Sequence, residues 1–289
     1  LDLARKELSI NHDSELCCQL ICDLAKTAGI INLSNSKDRE LLSALFNRKD
    51  ISHRELFGNI NHIIPRETLD ELSIMGCELL ENKKLDNLIK DKELLKALSL
   101  LIFCSPLWEK VLVSIRRYIL LNYSEHKKIN NNIFNFIIAL GSQCFLNEYI
   151  YYISEKENFK LLELKKSINS NKNEDYKLAL IACYQSLFSI NNEFINLNNY
   201  KSSNKEFNKL LDLQFREIIL EQDISSKIIT IGEINDSISK KVKNQYETNP
   251  YPRWRYNSYA KENKIDFLSI INSEIYPNKI ESDQLNLTN

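Results

Sequence analysis

Residues 133–157, IFNFIIALGSQCFLNEYIYYISEKE, form the most apolar stretch of the sequence. Its apolar and small residues recur at helical spacing and would cover more than half the circumference of a helix; they are Phe134, Ile137, Ile138, Leu140, Gly141, Cys144, Phe145, Tyr149, Tyr152 and Ile153. A helix that is apolar over so much of its surface is buried on most of its sides. The stretch therefore predicts a central, deeply buried helix over about 133–157, with other helices packed around it.

Few residues elsewhere in the chain interrupt helices. Glycine and proline number five each in 289 residues, well below the roughly 12% that the two contribute to average proteins. Ser105 and Pro106 mark a helix start, because proline at the first helical position loses no hydrogen bond. We therefore predict an all-α fold, a helical repeat or bundle. The apolar periodicity places further helices at about 13–28, 41–47, 53–64, 67–80, 94–104, from 106 onward, and at 159–168, 175–190, 203–222, 235–249 and 265–271, with a loop at 82–85.

The charge balance and the hydropathy exclude several classes of partner. With 38 basic and 39 acidic residues the net charge is −1, which gives no electrostatic reason to expect a nucleic acid or an anionic membrane as partner. No apolar run approaches the roughly 20 residues needed to cross a bilayer, and residues 1–11 lack a signal-peptide pattern. We predict a cytoplasmic protein.

The residues that usually carry chemistry are scattered. Cys17, Cys18 and Cys22 form the only cluster among seven cysteines, and no second pair completes the four ligands of a zinc site. We predict reduced thiols packed in the core and no metal. The sequence holds no P-loop, no G-x-S-x-G and no H-E-x-x-H, and its four histidines are dispersed. No catalytic residue can be nominated from the pattern.

Polar residues interrupt the predicted central helix at one place. Gln143, Asn147 and Glu148, followed by Tyr149, would lie close to the core, where polar groups need hydrogen-bond partners. Two interpretations stay open. The polar groups could form hydrogen bonds that fix the packing between helices, or they could contact a substrate or cofactor directly.

A second polar and aromatic segment comes after the last long helix. Ile238, Val242 and Tyr246 form one apolar stripe of that helix, with Asn235, Asp236 and Ser237 as capping candidates. Asn249-Pro250 must end it, since a residue before proline is pushed out of the helical region. Pro250 and Pro252 then stiffen the chain. The segment can serve as an interdomain latch or line the edge of a ligand pocket; the candidate residues are Tyr246, Asn249, Tyr251, Pro252, Arg253 and Trp254.

Two motifs resemble a known family. The run 242–254, VKNQYETNPYPRW, is similar to the signature V-x-x-Q-Y-E-x-N-P-Y-P-R-W of bacterial proteins that carry tetratricopeptide repeats at the amino end and an S-adenosylmethionine-dependent methyltransferase domain at the carboxyl end. The run 143–149, QCFLNEY, resembles the Q-C-F-x-N-E-Y helix that precedes the catalytic domain of that family. The two motifs occur in the same order, about a hundred residues apart, within a region of similarity from roughly Leu41 to Trp254.

The resemblance implies that three consecutive parts of the chain have different structures and roles. Residues 1–30 would end a tetratricopeptide-like repeat, 31–226 would form a helical domain, and 227–289 would lead into a methyltransferase domain. S-adenosylmethionine is the cofactor that the resemblance implies for a full-length protein. The glycine-rich turn that binds it is missing here, because no glycine comes after Gly232. We therefore expect this segment to bind no cofactor and to be non-catalytic, one part of a longer polypeptide.

Under this hypothesis the helical region presents a protein partner or a substrate and docks onto its own methyltransferase domain. Tyr251, Arg253 and Trp254 would brace or partly line the mouth of that domain, with Arg253 available to an anionic group such as a carboxylate. The alternative is a non-enzymatic helical-repeat scaffold that binds other proteins. The two hypotheses predict different sequences downstream of residue 289. A methyltransferase would continue with a strand and a glycine-rich turn, whereas a scaffold would continue with further helix pairs.

Overall fold

The structure is a computed structural model that describes residues 2–11, 14–25, 31–49, 51, 53–74, 83–124, 130–169, 174–191, 193–228, 236–248 and 267–280. Within these residues the chain forms the helices α1 (Asp2–Ile10), α2 (Glu15–Ala25), α3 (Ser36–Phe46), α4 (Phe57–Ile60), α5 (Arg66–Ile74), α6 (Lys83–Lys90), α7 (Lys92–Leu100), α8 (Pro106–Leu121), α9 (Asn131–Leu146), α10 (Glu155–Lys166), α11 (Asp175–Ala182), α12 (Leu187–Ile190), α13 (Lys205–Leu211), α14 (Glu217–Lys227), α15 (Ser237–Thr248) and α16 (Phe267–Glu274). A 3₁₀ turn spans His53–Leu56, and a π-helical turn, Asp212–Arg216, joins α13 to α14. The described residues contain no β-strand, and the predicted all-α fold is confirmed.

Helix α9 is the centre of the fold, as its composition predicts. It packs against α7, α11, α13 and α6, and residues 136–144 are buried without interruption. Gly141 allows the closest approach. A Cβ atom there would lie 3.3 Å from both Ala182 and Leu210, tighter than ordinary van der Waals contact. The absence of a side chain therefore lets α11 and α13 pack directly onto the central helix.

The central helix is shorter than the sequence predicts. It ends at Leu146, and residues 155–157 begin α10 instead. A capping box explains the new start, because the Ser154 hydroxyl accepts from the Glu157 backbone at 3.4 Å while the Glu157 carboxylate accepts from the Ser154 backbone at 2.9 Å. Tyr152, expected on the apolar face, is consequently exposed.

Three other predicted boundaries are also wrong. Helix α6 begins at Lys83, inside the predicted loop at 82–85. The predicted helix at 175–190 is broken after Ala182 and resumes as α12. The predicted helix at 203–222 extends to Lys227 and contains the π-helical turn. In contrast, the start at Pro106 is confirmed, and Asp236 caps α15 by accepting from the Ser239 backbone at 2.7 Å.

The described cysteines are reduced. Cys17, Cys18, Cys22, Cys144 and Cys183 are buried, as predicted. Cys104 is exposed, contrary to the prediction, because it lies in the extended connection between α7 and α8. Cys77 lies outside the described residues. No helix in the described ranges is long and apolar enough to cross a membrane.

Candidate binding site at the exit of the central helix

The chain leaves the carboxyl end of α9 through a turn whose backbone conformation is usually adopted by glycine. The Asn147 backbone N–H caps the helix by donating to the Gln143 carbonyl at 3.1 Å. Glu148 and Tyr149 then adopt left-handed backbone angles, with φ of 58° and 59°. This conformation costs non-glycine residues roughly 1–2 kcal/mol each. Hydrogen bonds hold the turn, since the Tyr149 N–H donates to the Cys144 carbonyl at 2.8 Å and to the Asn147 side-chain oxygen at 3.1 Å.

This turn separates the four predicted polar residues. Gln143 is fully buried, Asn147 is buried and Tyr149 is half-buried, as expected of groups close to the core. Glu148 is exposed, so the prediction that it lies near the core is wrong. The helix ends before Glu148, and the left-handed turn directs its side chain to solvent. The hydrogen bonds expected between helices are missing at Gln143, since neither amide atom has a partner among the described residues.

A buried ion pair lies beside the exit. Arg116 on α8 is 1% exposed and Glu157 on α10 is 0% exposed, with 3.9 Å between the Arg116 Nη2 and Glu157 Oε1 atoms. The guanidinium also donates to the Cys183 carbonyl at 3.2 Å and to the Tyr152 carbonyl at 2.7 Å. Arg116 thus ties α8 to the end of α11 and to the connection between α9 and α10.

Glu157 satisfies its carboxylate with several donors. Arg117 Nε donates at 3.0 Å, the Tyr184 hydroxyl at 3.0 Å and the Ser154 hydroxyl at 2.7 Å. Burial opposes the charged form, but these hydrogen bonds favour it more strongly, so the pKa of Glu157 lies below its ordinary value of 4.5. The carboxylate is therefore ionised at neutral pH and neutralises part of the positive charge of Arg116 and Arg117.

Aromatic rings and thiols complete the surroundings of Arg116. Its guanidinium carbon lies 4.3 Å from the centroid of the Tyr184 ring and 5.8 Å from that of Tyr151, distances at which cation–π attraction operates. Burial raises the pKa of the Cys144 thiol to about 11 and that of Cys183 well above its ordinary value. Both thiols are protonated at neutral pH and are not nucleophiles. The groups at this site are suited to binding and positioning.

Arg116 was not among the residues predicted from the sequence, although a signal was present. It lies four residues after Leu112 and four before Leu120, both fully buried. A charged residue inside such an apolar stripe indicates a buried pair. Gln214 was missed as well. It is fully buried in the π-helical turn, and its amide donates to the Gly141 carbonyl at 2.8 Å and to the Ala182 carbonyl at 3.1 Å.

The second predicted segment is described only at its beginning. Tyr246 lies on α15 and is exposed, and so are Ile238 and Val242 of the same stripe. The other candidate residues lie outside the described residues; they are Asn249, Tyr251, Pro252, Arg253 and Trp254. The stripe on α15 is therefore an uncovered apolar surface.

A similar stripe precedes it on α14, a helix with no buried residue. Leu220 and Ile224 lie one helical turn apart on α14, and Ile228 follows directly after the helix; each is at least half exposed. The two consecutive helices, with the residue that follows α14, thus present six large apolar side chains to solvent. Isolated apolar residues are common on protein surfaces, but aligned sets indicate contact with another surface.

In the part of the chain that the structure describes, no three histidine, cysteine, aspartate or glutamate side chains are grouped so that they could hold a metal ion. Comparison with models of known protein families, with curated proteins and with solved structures found no match.

Proposed function

We propose that this chain is the non-catalytic helical region of a cytoplasmic S-adenosylmethionine-dependent methyltransferase, and that it holds the catalytic domain through α14 and α15. The two motifs at 143–149 and 242–254 support the choice of family. The observation that carries the docking role is the pair of exposed apolar stripes: Leu220 and Ile224 on α14 with Ile228 directly after it, and Ile238, Val242 and Tyr246 on α15.

The position of these stripes favours an intramolecular partner. The stripe on α15 directly precedes residues 249–254, the segment that the resemblance places in front of the catalytic domain. A stripe of leucine, isoleucine, valine and tyrosine side chains matches an apolar groove on a folded domain, as in other helix-in-groove contacts. Burial of each such side chain contributes about 1.5–3 kcal/mol, enough for a stable contact between domains joined in one polypeptide.

The first experiment is to sequence the gene downstream of the Asn289 codon. An apolar strand with a glycine-rich turn after it supports the proposal. That downstream domain is then expressed separately and titrated with this chain by calorimetry. Changing Ile224 and Val242 to Glu should weaken the complex by roughly thirtyfold or more, the effect of removing one interface hot spot.

Phe159→Glu is the matched control, because Phe159 is also an exposed apolar residue but lies on α10, away from both stripes. It should leave the affinity unchanged. Equal weakening by the control and the stripe variants would contradict docking through α14 and α15. Methyl transfer from labelled S-adenosylmethionine by residues 1–289 alone would contradict the non-catalytic role.

One observation favours the alternative of a helical-repeat scaffold. On the α1–α2 pair, Leu3, Ile10, Leu16 and Leu20 are exposed, as at an open end of a repeat array where the next helix pair would stack. Helix pairs that stack on α1–α2 would be encoded upstream of the Leu1 codon. If the gene encodes such pairs, and further helix pairs downstream in place of a strand with a glycine-rich turn, the scaffold replaces the methyltransferase region as the proposed function.

A further inference from the structure

A cavity lies where the loop between α12 and α13 meets the π-helical turn. Its volume is about 340 Å³, at the small end of the roughly 300–1,000 Å³ that ligand pockets occupy. The cavity is lined by the loop residues 198–202, by Asn208 of α13 and by Arg216 of the π-helical turn. Turns of this kind are frequent at functional sites. The cavity therefore has the size and the surroundings of a site for a small molecule.

Hydrogen bonds hold the walls of this cavity in place. Arg216 Nη2 donates to the Tyr200 carbonyl at 2.8 Å, which attaches the loop to the π-helical turn. The Asn208 side chain donates to the Ser202 carbonyl at 2.7 Å and accepts from the Ser202 N–H at 3.2 Å, which attaches the loop to α13. The Tyr200 hydroxyl donates to the Asp175 carboxylate of α11 at 2.8 Å. The cavity is therefore already formed without a ligand, so binding does not have to order the loop.

Three residues of the lining keep their side chains free for a ligand. Asn198, Asn199 and Lys201 are exposed, and among the described residues their side chains form no hydrogen bond or ion pair. An asparagine amide both donates and accepts, as a hydroxyl group does, whereas a lysine ammonium group only donates. These free groups match a ligand that offers hydroxyl groups together with a strong acceptor.

The charge at the rim of the cavity favours a negative acceptor. The charge of Arg216 is balanced by Asp212, with 2.5 Å between the Arg216 Nη1 and Asp212 Oδ1 atoms. Asp175 is buried, and its carboxylate accepts hydrogen bonds from the hydroxyls of Tyr200 and Ser202. Lys201 is exposed and forms no ion pair among the described residues. Its ammonium group therefore gives the rim a positive charge that an anionic ligand would balance.

We propose that this cavity binds a monosaccharide that carries one negative group, either a phosphate or a carboxylate. Lys201 pairs with the negative group, and the amides of Asn198 and Asn199 form hydrogen bonds with the sugar hydroxyls. Tyr200 adds an aromatic ring to the lining, in keeping with the mixture of aromatic surface and few polar groups that is typical of small-molecule pockets. None of the lining residues belongs to the apolar stripes of α14 and α15, so the site is independent of the proposed docking surface.

The test is calorimetric titration of the whole chain, at constant ionic strength, with glucose 6-phosphate, glucuronate, glucose and inorganic phosphate as probes. We expect saturable binding of at least one of the two anionic sugars, roughly tenfold or more tighter than the binding of glucose or of inorganic phosphate. The tighter of the two anionic sugars identifies the negative group. Lys201→Gln removes the positive charge and should raise the dissociation constant of that sugar about tenfold, the effect of one hydrogen bond to a charged group.

Lys205→Gln is the matched control. It changes the net charge of the protein by the same amount, but Lys205 is an exposed residue of α13 outside the lining of the cavity, so the variant should bind the sugar as the unmodified protein does. Three results would overturn the proposal. They are the absence of saturable binding of both anionic sugars, equal affinity in the Lys201→Gln and Lys205→Gln variants, and inorganic phosphate binding as tightly as glucose 6-phosphate.

Discussion

Two glutamines of the core, Gln214 and Gln143, have the same side chain and the same complete burial, yet their surroundings differ. The Gln214 amide donates to two carbonyls, of Gly141 and Ala182, and accepts from the Leu187 backbone at 3.3 Å. Neither amide atom of Gln143 has a partner in the described residues. Burial of a polar group therefore does not define its role; its hydrogen bonds do. The hydrogen bonds of Gln214 join α9, α11 and α12, whereas the Gln143 side chain joins no helices through hydrogen bonds among the described residues.

The same contrast separates the two halves of the polar cluster. Around Glu157 both carboxylate oxygens accept hydrogen bonds, from Ser154, Arg117 and Tyr184. At Gln143, one helical turn before Asn147, both amide atoms lack a hydrogen-bond partner among the described residues. The first half stabilises the fold through its hydrogen bonds, whereas the second half contains a buried amide that contributes none. Substitutions in the two halves should therefore change the free energy of unfolding by different amounts and in opposite directions.

The largest effect is expected for Glu157→Ala. Removing the carboxylate leaves Arg116 buried beside no negative charge and removes the bond that Glu157 contributes to the capping box of α10. Breaking a buried pair in this way costs about 3–5 kcal/mol, measured as the free energy of unfolding in urea. Glu155→Ala, at an exposed position in the same helical turn, is the control and should cost about 0.5 kcal/mol or less. If both variants lost the same free energy of unfolding, Glu157 would have no stabilising role beyond that of an exposed residue.

Gln214→Leu should have the next largest effect. Leucine has a similar volume, so the loss reports the hydrogen bonds, and the Leu187 N–H and the Ala182 carbonyl are left without the amide. We expect a decrease of about 2 kcal/mol in the free energy of unfolding. Gln222→Leu, an exposed glutamine on α14, controls for the change of residue type. If Gln214→Leu left the free energy of unfolding unchanged, the hydrogen bonds of Gln214 would not distinguish it from Gln143.

Gln143→Leu should act in the opposite direction. It removes two unpaired polar atoms from the core, and replacing such groups by apolar ones of similar shape is neutral or stabilising, here by up to about 1 kcal/mol. The measurement is urea unfolding. Destabilisation as large as that of Gln214→Leu would show that the Gln143 side chain has structural partners. The proposed difference between Gln143 and Gln214 would then be wrong.

The smallest effect is a difference in pH dependence. The pKa of Glu157 is lower in the folded protein than the roughly 4.3 of an unfolded chain. Its ionised form therefore contributes stability above about pH 4.3, and this contribution is lost as the pH falls through the lower, folded-state pKa. The stability gap between the unmodified protein and Glu157→Gln should narrow on acidification, as followed by unfolding curves from about pH 6 to about pH 3. A gap that stays constant would mean that the charge of Glu157 does not matter.

The apolar periodicity predicted the positions of the helices well, whereas it predicted their ends less accurately. The all-α fold, the central position of α9 and the start of α8 follow from apolar spacing and from one proline. The end of α9 could not be predicted, because Asn147, Glu148 and Tyr149 contain no glycine or proline and continue the helical pattern. Hydrogen bonds from the Tyr149 N–H to the Cys144 carbonyl and the Asn147 side chain hold this end, and Arg116 holds the following connection at the Tyr152 carbonyl.

The candidate site was predictable in part for the same reason. The sequence placed Gln143 and Asn147 near the core, because they lie on an apolar helix. Arg116 and Glu157 are about 40 residues apart in the chain, and no local pattern pairs them. Only the packing of α8 against α10 brings them together.

The double use of Glu157 has a kinetic consequence. One carboxylate both begins α10 and balances the charge of Arg116, which in turn holds the turn at 147–152. Opening of the turn breaks the bond from Arg116 to the Tyr152 carbonyl and exposes the buried guanidinium to solvent. The backbone amides of the turn should therefore exchange their hydrogens with solvent through a subglobal opening and not by local fraying.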